Sequence, residues 1–231
     1  MTRQVFYLHG FASSPRSTKA AFLARRLAAH GLALYCPDLN EPDFETVTLT
    51  RMIAQVEQAV LAQPDGPTAL IGSSLGALVA VQLAARWARL CAGGDSGAVR
   101  RHAIDRLVLL APALNFARNR ERTLGREGVK QWKEAGVLPV PHHGDGRVRH
   151  VRFALLEDAL TYDPFAEYPD VPMLIFQGRR DEAVDPASVE AFARSRPNVM
   201  LRLLDDDHQL HASLETIWRE TARFLGLREP Q

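Results

Sequence analysis

Short, wholly apolar runs alternate along this chain with longer segments in which apolar residues recur every three or four positions. The runs are Gln4-Val5-Phe6-Tyr7-Leu8, Leu32-Ala33-Leu34-Tyr35-Cys36, Thr68-Ala69-Leu70-Ile71, Arg106-Leu107-Val108-Leu109-Leu110-Ala111, Pro172-Met173-Leu174-Ile175-Phe176-Gln177 and Val199-Met200-Leu201-Arg202-Leu203-Leu204. Unbroken apolar runs of this length read as strands buried on both faces, as in a parallel sheet. Between them the period changes. Ser14-Pro15 predicts an N-cap and a first-turn proline, opening a helix that runs to about His30 and stops at Gly31. Leu49, Met52, Ile53, Val56 and Val60 share one face of a helix over 49–63. Further helices are predicted from Leu75 to about Leu90, from near Pro186, and over 211–225, where Leu214, Ile217, Trp218, Thr221 and Leu225 form the apolar stripe. Strands alternating with helices imply right-handed crossovers and a doubly covered parallel sheet.

Three stretches break the rhythm. Residues 39–48 are polar and contain Pro42, and residues 91–97 hold three glycines, so both read as loops. From Pro112 to Pro169 charge and turn residues dominate with little alternation, which reads as an insertion between the fourth and fifth strands. That insertion leaves from the C-terminal end of the fourth strand and returns before the fifth. In open α/β sheets the C-terminal end is where ligands bind, at the point where the winding direction reverses.

Candidate chemistry enters at that same end. Gly72-Ser73-Ser74-Leu75-Gly76 reads Gly-x-Ser-x-Gly, with a strand before it and an alanine-rich helix after it. That is the context of a nucleophile elbow, which lifts a serine hydroxyl out of a strand on a turn too tight for ordinary side chains. A serine hydroxyl needs a base to take its proton, and the base needs an orienting carboxylate. The expected chain order is serine, acid, histidine. Asp181 follows the fifth strand, and His208 follows the sixth after Asp205-Asp206-Asp207, so Ser74, Asp181 and His208 are the candidate catalytic residues. Asp185, ahead of Pro186, reads as a helix N-cap; Glu182 is the other rival acid, and His211 the rival base. Two backbone N–H groups must hold the oxyanion. Leu75, after the serine, should supply one, and Phe11, after the first strand, the other. His9 should orient that loop rather than transfer protons.

Composition changes this picture little. The chain has 231 residues, 46% of them hydrophobic, and a formal net charge of +1. That suits one α/β domain and gives no global attraction to nucleic acid or an anionic membrane. Every apolar run is shorter than a bilayer span. Cys36 and Cys91 are the only cysteines. They form neither a disulfide framework nor a ligand set, and the opening residues lack a signal-peptide pattern, so a cytoplasmic location is expected. His142, His143, Asp145 and His150 match no metal-site spacing and read as solvated residues of a hairpin around Gly144-Asp145-Gly146. No Gly-x-Gly-x-x-Gly follows the first strand, which removes the support for a dinucleotide fold. No metal and no cofactor is expected.

The stretch from Tyr7-Leu8-His9-Gly10-Phe11-Ala12-Ser13-Ser14-Pro15 to Ala20 resembles the opening of the small bacterial YqiA-type esterases of the α/β-hydrolase superfamily. The elbow, Gly178-Arg179-Arg180-Asp181 and His208 match their nucleophile, acid and histidine positions. The resemblance covers residues 4–112 and 170–227. It implies an α/β-hydrolase fold, with a compact, mainly parallel six-stranded sheet and helices on both faces. The position of residues 113–169, between the fourth and fifth strands, predicts a cap within a single domain. Two features depart from the family pattern: the acidic run before His208 replaces a glycine-rich approach, and the insertion is longer than in the shortest members.

A serine at the elbow, rather than the aspartate of haloalkane dehalogenases or the cysteine of dienelactone hydrolases, points to acyl transfer to water. The expected function is a serine hydrolase, a carboxylesterase acting on a small acyl ester. A thioesterase or a peptidase would use the same residues, and a non-catalytic binding protein is the reading of another class. In the insertion, Phe116 and Trp132 are the foremost candidates to line an acyl pocket. Between Ala113 and Phe153 the chain carries nine Lys or Arg against four Asp or Glu. These either solvate the outer face of the cap or create a local field that draws an anionic substrate. The expected partner is a small ester, with homodimerisation left open.

Overall fold

In the computed structural model, residues 2–94 and 97–227 are described, and the remaining positions, Asp95 and Ser96 of the expected 91–97 loop among them, lie outside the description. The elements run β1 (Gln4–Leu8), α1 (Thr18–Ala28), β2 (Leu34–Tyr35), α2 (Leu49–Leu61), β3 (Thr68–Ser73), α3 (Leu75–Ala92), α4 (Gly97–Arg101), β4 (Ile104–Leu110), α5 (Phe116–Ala135), β5 (Val137–His142), β6 (Arg147–Arg152), α6 (Ala154–Ala159), β7 (Met173–Gly178), α7 (Pro186–Arg194), β8 (Val199–Leu204) and α8 (Leu214–Phe224). The six apolar runs form one parallel sheet in the order β2-β1-β3-β4-β7-β8. β1 and β3 are hydrogen-bonded neighbours, with Leu8 opposite Gly72. From that pair the chain winds outward in both directions, so the loops after β1 and β3 meet at the switch point.

The sheet separates two hydrophobic clusters. One joins Val5, Tyr7, Ile71, Val108, Leu110 and Phe176 to α1 and α8 through Leu23, Leu27, Ile217 and Trp218. The other joins Phe6, Leu8, Leu70, Leu107 and Leu109 to α2, α3 and α7. Helix α3 is long and apolar enough to cross a membrane by length and composition, contrary to the expectation that no run reaches that size. Here 67% of it is buried within the protein, because it is the central helix of this second layer.

Two helix starts differ from expectation. Ser17, not Ser14, caps α1, accepting the N–H of Ala20 at 3.3 Å. Ser14, Pro15 and Arg16 form a turn closed by Ser17 N–H to the Ser14 carbonyl, because Pro15 can start a turn as readily as a helix. α8 begins at Leu214, three residues beyond His211.

The insertion has more regular structure than its sequence suggests. α5 carries so many charged residues that only Phe116, Ala117, Asn119 and Trp132 are buried, and it kinks at Gly125, where φ is 69°. The apolar stripe is therefore too sparse to read as a period. β5 and β6 pair as an antiparallel hairpin. Pro139 and Pro141 obscure β5, yet both are exposed on a strand with one free edge, where a missing N–H costs least.

This segment is packed into the protein. Trp132, Val140, Val151, Leu155 and Leu156 belong to the same cluster as Phe44, Leu49 and Met52. Arg152 pairs with Glu45 at 3.0 Å, and Asp158 accepts both the N–H and the hydroxyl of Thr50. Trp132 is 1% exposed, donates its indole N–H to the Val151 carbonyl at 3.1 Å and meets Phe153 edge-on at 5.4 Å.

Replacement of Trp132 by Ala is expected to cost about 3–5 kcal/mol of stability. Replacement by Phe should cost less, removing the indole N–H bond to the Val151 carbonyl but keeping an aromatic ring in the core. Urea denaturation of both variants measures this, and an unfolding midpoint unchanged in Trp132→Ala would contradict the packing described. At Gly76 an added Cβ would stand 2.2 Å from the Leu8 carbonyl oxygen. Gly76→Ala is therefore expected to lose about 3 kcal/mol or to fail to fold. Gly31, with φ of 70° and nothing within 4 Å of an added Cβ, should lose only about 1 kcal/mol as Ala.

Candidate active site

The turn between β3 and α3 is strained at Ser74, whose φ of 53° and ψ of −116° fall outside the ordinary regions for a residue with a side chain. Its backbone is fixed from three sides. Ser74 N–H donates to the Leu110 carbonyl at 2.9 Å, and its own carbonyl accepts Ala77 N–H at 3.0 Å and Ala113 N–H at 3.1 Å. Glycines provide the clearance. A Cβ at Gly72 would lie 2.5 Å from Ala77 Cα, and one at Gly10 would lie 3.1 Å from Ser74 Cβ. The result is a hydroxyl held out at the end of the sheet beside the loop after β1.

Asp181 and His208 come to this point from the next pair of strands. Gly178 ends β7, where a Cβ would meet the Asp207 carbonyl oxygen at 2.5 Å, so the two loops touch through their backbones. Arg180 N–H donates to the Asp206 carbonyl at 3.0 Å, and the Arg180 side chain pairs with Asp205. These contacts hold the acidic run in place without the glycine-rich approach seen in the resembled family. Asp181 is 5% exposed. One of its oxygens accepts the N–H groups of Ala183 and Val184 at 2.9 and 2.8 Å; the other accepts the Gln177 amide at 2.9 Å and lies 2.8 Å from His208 Nδ1. Burial opposes ionisation of this carboxyl, but the hydrogen bond and charge of His208 and the donors on Val184 and Gln177 outweigh it, leaving Asp181 below the usual carboxylate range. His208 Nε2 is 3.1 Å from Ser74 Oγ. With Nδ1–H donating to Asp181, Nε2 is free to accept the serine proton.

The rivals are occupied elsewhere. Asp185 caps α7, accepting Ala187 N–H at 3.0 Å. Glu182 and His211 border the cleft but make no contact with His208 or Ser74 among the described hydrogen bonds. His9 is 1% exposed. Its Nε2 lies 3.0 Å from Leu39 N and 3.3 Å from Asp38 Oδ1, and its Nδ1 2.9 Å from the Gly10 carbonyl. It braces the loop that carries Phe11. Neither Phe11 nor Leu75 N–H is taken by a backbone carbonyl among the described residues. Lys19, 7% exposed, donates to the Gln209 carbonyl at 2.9 Å beneath the histidine loop. Burial lowers its pKa to about 8, partly offset by Asp207, Asp206 and Asp181.

Ser74 and His208 open onto a cleft of about 1080 Å³. Its walls come from the β1–α1 loop, from the loops after β7 and β8, and from Arg120, Val140, Pro141, His143 and Gly144 of the insertion. The hairpin is tied to the β1–α1 loop by His143 N–H, which donates to the Ala12 carbonyl at 2.7 Å. The two expected acyl-pocket residues are not on these walls. Trp132 is sealed in the core of the insertion, because its indole N–H is satisfied by Val151 on the far strand of the hairpin. Phe116 lies behind Phe11, edge-on at 5.9 Å, and borders a separate 270 Å³ pocket with Leu78, Leu114 and Phe165. Arg120 was not singled out by the sequence, and His143 was expected as a solvated hairpin residue, not as part of the cleft wall. A charged residue facing a cleft and one facing solvent leave the same periodic signature. His142 is also unlike its expectation. It is 4% exposed, edge-on to Phe44 at 5.0 Å and hydrogen-bonded to Asp145 at 3.1 Å. Among the described residues no group of three or more His, Cys, Asp or Glu side chains is placed to hold a metal ion.

The same architecture occurs in solved structures. Est1E from Butyrivibrio proteoclasticus, bound to ferulic acid, superposes with a TM-score of 0.73 at 22% identity, covering 97% of this chain and 88% of that one. Mouse alpha/beta hydrolase domain-containing protein 10 gives 0.74 at 18% identity, covering 96% and 89%. The Pyrococcus furiosus esterase Pf2001 gives 0.67 at 19% identity, covering 97% and 82%. Among curated proteins the chain is 26% identical over 187 residues to the AMB antimetabolite synthetase AmbE of Pseudomonas aeruginosa; that stretch is 78% of this chain and spans 8% of the relative's length. Residues 4–225 match the family described as Uncharacterised protein family (UPF0227). The chain has the α/β-hydrolase fold and is a member of that family.

Proposed function

We propose that this protein is a serine hydrolase that cleaves a small carboxylic ester through an acyl-enzyme on Ser74. The observation that carries this reading is the continuous relay from Asp181 through His208 to Ser74, with both hydrogen bonds at donor–acceptor distance in one geometry. A binding protein has no need for a strained serine aligned with a base whose carboxylate partner is buried and ionised. The Pyrococcus furiosus esterase among the fold neighbours agrees with an ester as substrate.

In the first step Ser74 Oγ attacks the ester carbonyl carbon while its proton passes to His208 Nε2. The carbonyl electrons move to oxygen, which the N–H groups of Phe11 and Leu75 hold as an oxyanion. Collapse expels the alcohol, which takes the proton from His208, and leaves the acyl group on Ser74. Water then attacks the acyl carbonyl and gives a proton to His208, which returns it to Ser74 Oγ as the tetrahedral intermediate collapses and the acid leaves. Asp181 keeps the imidazole in the tautomer that can accept from serine and stabilises the imidazolium once formed. The insertion acts as a cap, since it supplies one wall of the cleft.

Ser74→Ala should lower kcat by a factor on the order of 10⁶ with little change in unfolding midpoint, and labelling by a fluorophosphonate probe should disappear with it. A parent protein that neither takes the probe nor hydrolyses any of an ester, thioester and aminopeptide panel would overturn the proposal. His208→Ala should be almost as damaging as Ser74→Ala, and the double variant little worse than either. Asp181→Asn should lose about 10⁴ in kcat, whereas Asp185→Asn, which keeps a capping oxygen at the start of α7, should leave both kcat and the unfolding midpoint largely unchanged. Steady-state kinetics beside urea denaturation separates these outcomes.

A further inference from the structure

Of the nine Lys and Arg side chains between Ala113 and Phe153, one lines the cleft: Arg120. Several of the others are engaged outside it. Arg122 donates to the Glu182 carbonyl at 2.8 Å, Arg149 pairs with Asp145 at 2.7 Å, Arg152 with Glu45 at 3.0 Å and Lys130 with Glu134 at 3.9 Å. Among the described residues Arg120 has no such partner. Its Nε is buried without a hydrogen bond, and burial lowers its pKa with no acidic neighbour to offset the loss.

Its position is nevertheless well defined. The guanidinium lies 5.5 Å from the centre of the Phe11 ring and 5.4 Å from that of Phe116. Two aromatic rings favour its charge and help to hold it in place, while none of its N–H groups is hydrogen-bonded among the described residues. Phe11 is also the residue whose backbone N–H is assigned to the oxyanion, so Arg120 flanks the point where the ester carbonyl would sit. Withdrawing a guanidinium from water without a counter-ion is costly, and a cost of that kind in the wall of a cleft marks a group kept for a ligand.

We propose that Arg120 is the specificity-determining residue of this site. It pairs with an ionised carboxylate elsewhere on the substrate, so the preferred ester carries a second, free carboxyl group. This rests on the serine-hydrolase reading and adds to it the class of ester. The planar fork of Arg matches a carboxylate with two parallel hydrogen bonds, and the pairing is screened little inside the cleft. Lys19 on the opposite wall does not compete for this role, because the Gln209 carbonyl and the acidic run around His208 already hold it.

The test compares two matched pairs of esters. One pair, 4-nitrophenyl hydrogen glutarate and its methyl-capped form, carries the charge on the acyl side. The other, 4-carboxyphenyl butyrate and its methyl ester, carries it on the alcohol side. In the parent, the charged member of one pair should be favoured in kcat/KM by about 10–100-fold. The preference should shrink as salt is raised. In Arg120→Met that ratio should fall to about one, and Arg120→Lys should restore part of it. If the guanidinium only steadies the Phe11 loop, Arg120→Met would lower both members together and leave the ratio intact, which would overturn the proposal. So would a parent without preference in either pair.

A binding arm needs no turnover. Monomethyl glutarate should bind Ser74→Ala protein at least tenfold more tightly than it binds the Ser74→Ala, Arg120→Met double variant, read by calorimetry. Equal affinities overturn the proposal whether or not any ester is hydrolysed. A parent inert on every ester, with the affinity difference present, would instead remove the hydrolase reading and keep the carboxylate site.

Discussion

Everything at the open end of the sheet depends on backbone touching backbone. Helix α3 lies so close to β1 that an added Cβ at Gly76 would stand 2.2 Å from the Leu8 carbonyl. The elbow repeats this at Gly72 against Ala77, and the loop after β7 repeats it at Gly178 against Asp207. None of these contacts leaves room for a side chain to adjust. They surround the strained Ser74, whose φ of 53° is held by backbone hydrogen bonds to Leu110, Ala77 and Ala113. The three polar side chains are then carried at the tips of rigid strands. Their hydrogen bonds report that rigidity more than they create it. Asp181 satisfies this most fully, with donors from Ala183, Val184 and Gln177 arranged around the one direction left for His208.

How much of this the sequence disclosed follows from how each feature is encoded. A strand buried on both faces has no choice but to be apolar throughout, so the six main strands stand out even where their ends differ; β2 is regular only over Leu34–Tyr35, while β4 starts earlier, at Ile104. Ser74, Asp181 and His208 were legible because chain order and position after a strand constrain them. The start of α1 was not, since Ser14 and Ser17 offer the same capping oxygen and only three-dimensional closure of the Ser14 turn decides between them. The insertion was least legible. Its helix buries few residues, and its hairpin has two prolines in one strand and mostly exposed charge in the other. Phe116 and Trp132 were expected in the substrate pocket on their size and apolarity, properties equally suited to the core where Trp132 lies. Arg120 is the converse case, a charged side chain that borders the cleft only because of the way α5 faces.

The cleft has walls of two kinds. The loops after β1, β7 and β8 are braced by buried polar contacts, among them the His9 imidazole between Gly10 and Leu39. The insertion contributes a wall braced by apolar packing, with Trp132 and Val151 sharing a cluster with Phe44 and Leu49. The two meet where His143 N–H reaches the Ala12 carbonyl, close to the loop that carries Phe11. A displacement of the hairpin thus pulls on the same short loop whose N–H is assigned to the oxyanion.

That packing sets a limit on how this protein can change. In many enzymes an excursion between two strands is a detachable accessory, and because loop closure costs rise only slowly with length it can be enlarged or shortened at little thermodynamic expense. Here the excursion from β4 to β7 supplies core residues to the layer that holds α2. Drift in this wall is therefore drift in the hydrophobic core. Lineages exploring new substrates through it would have to move by exposed positions such as Pro141 and His143, which border the cleft without entering the core, while Trp132 and its neighbours stay under selection for folding.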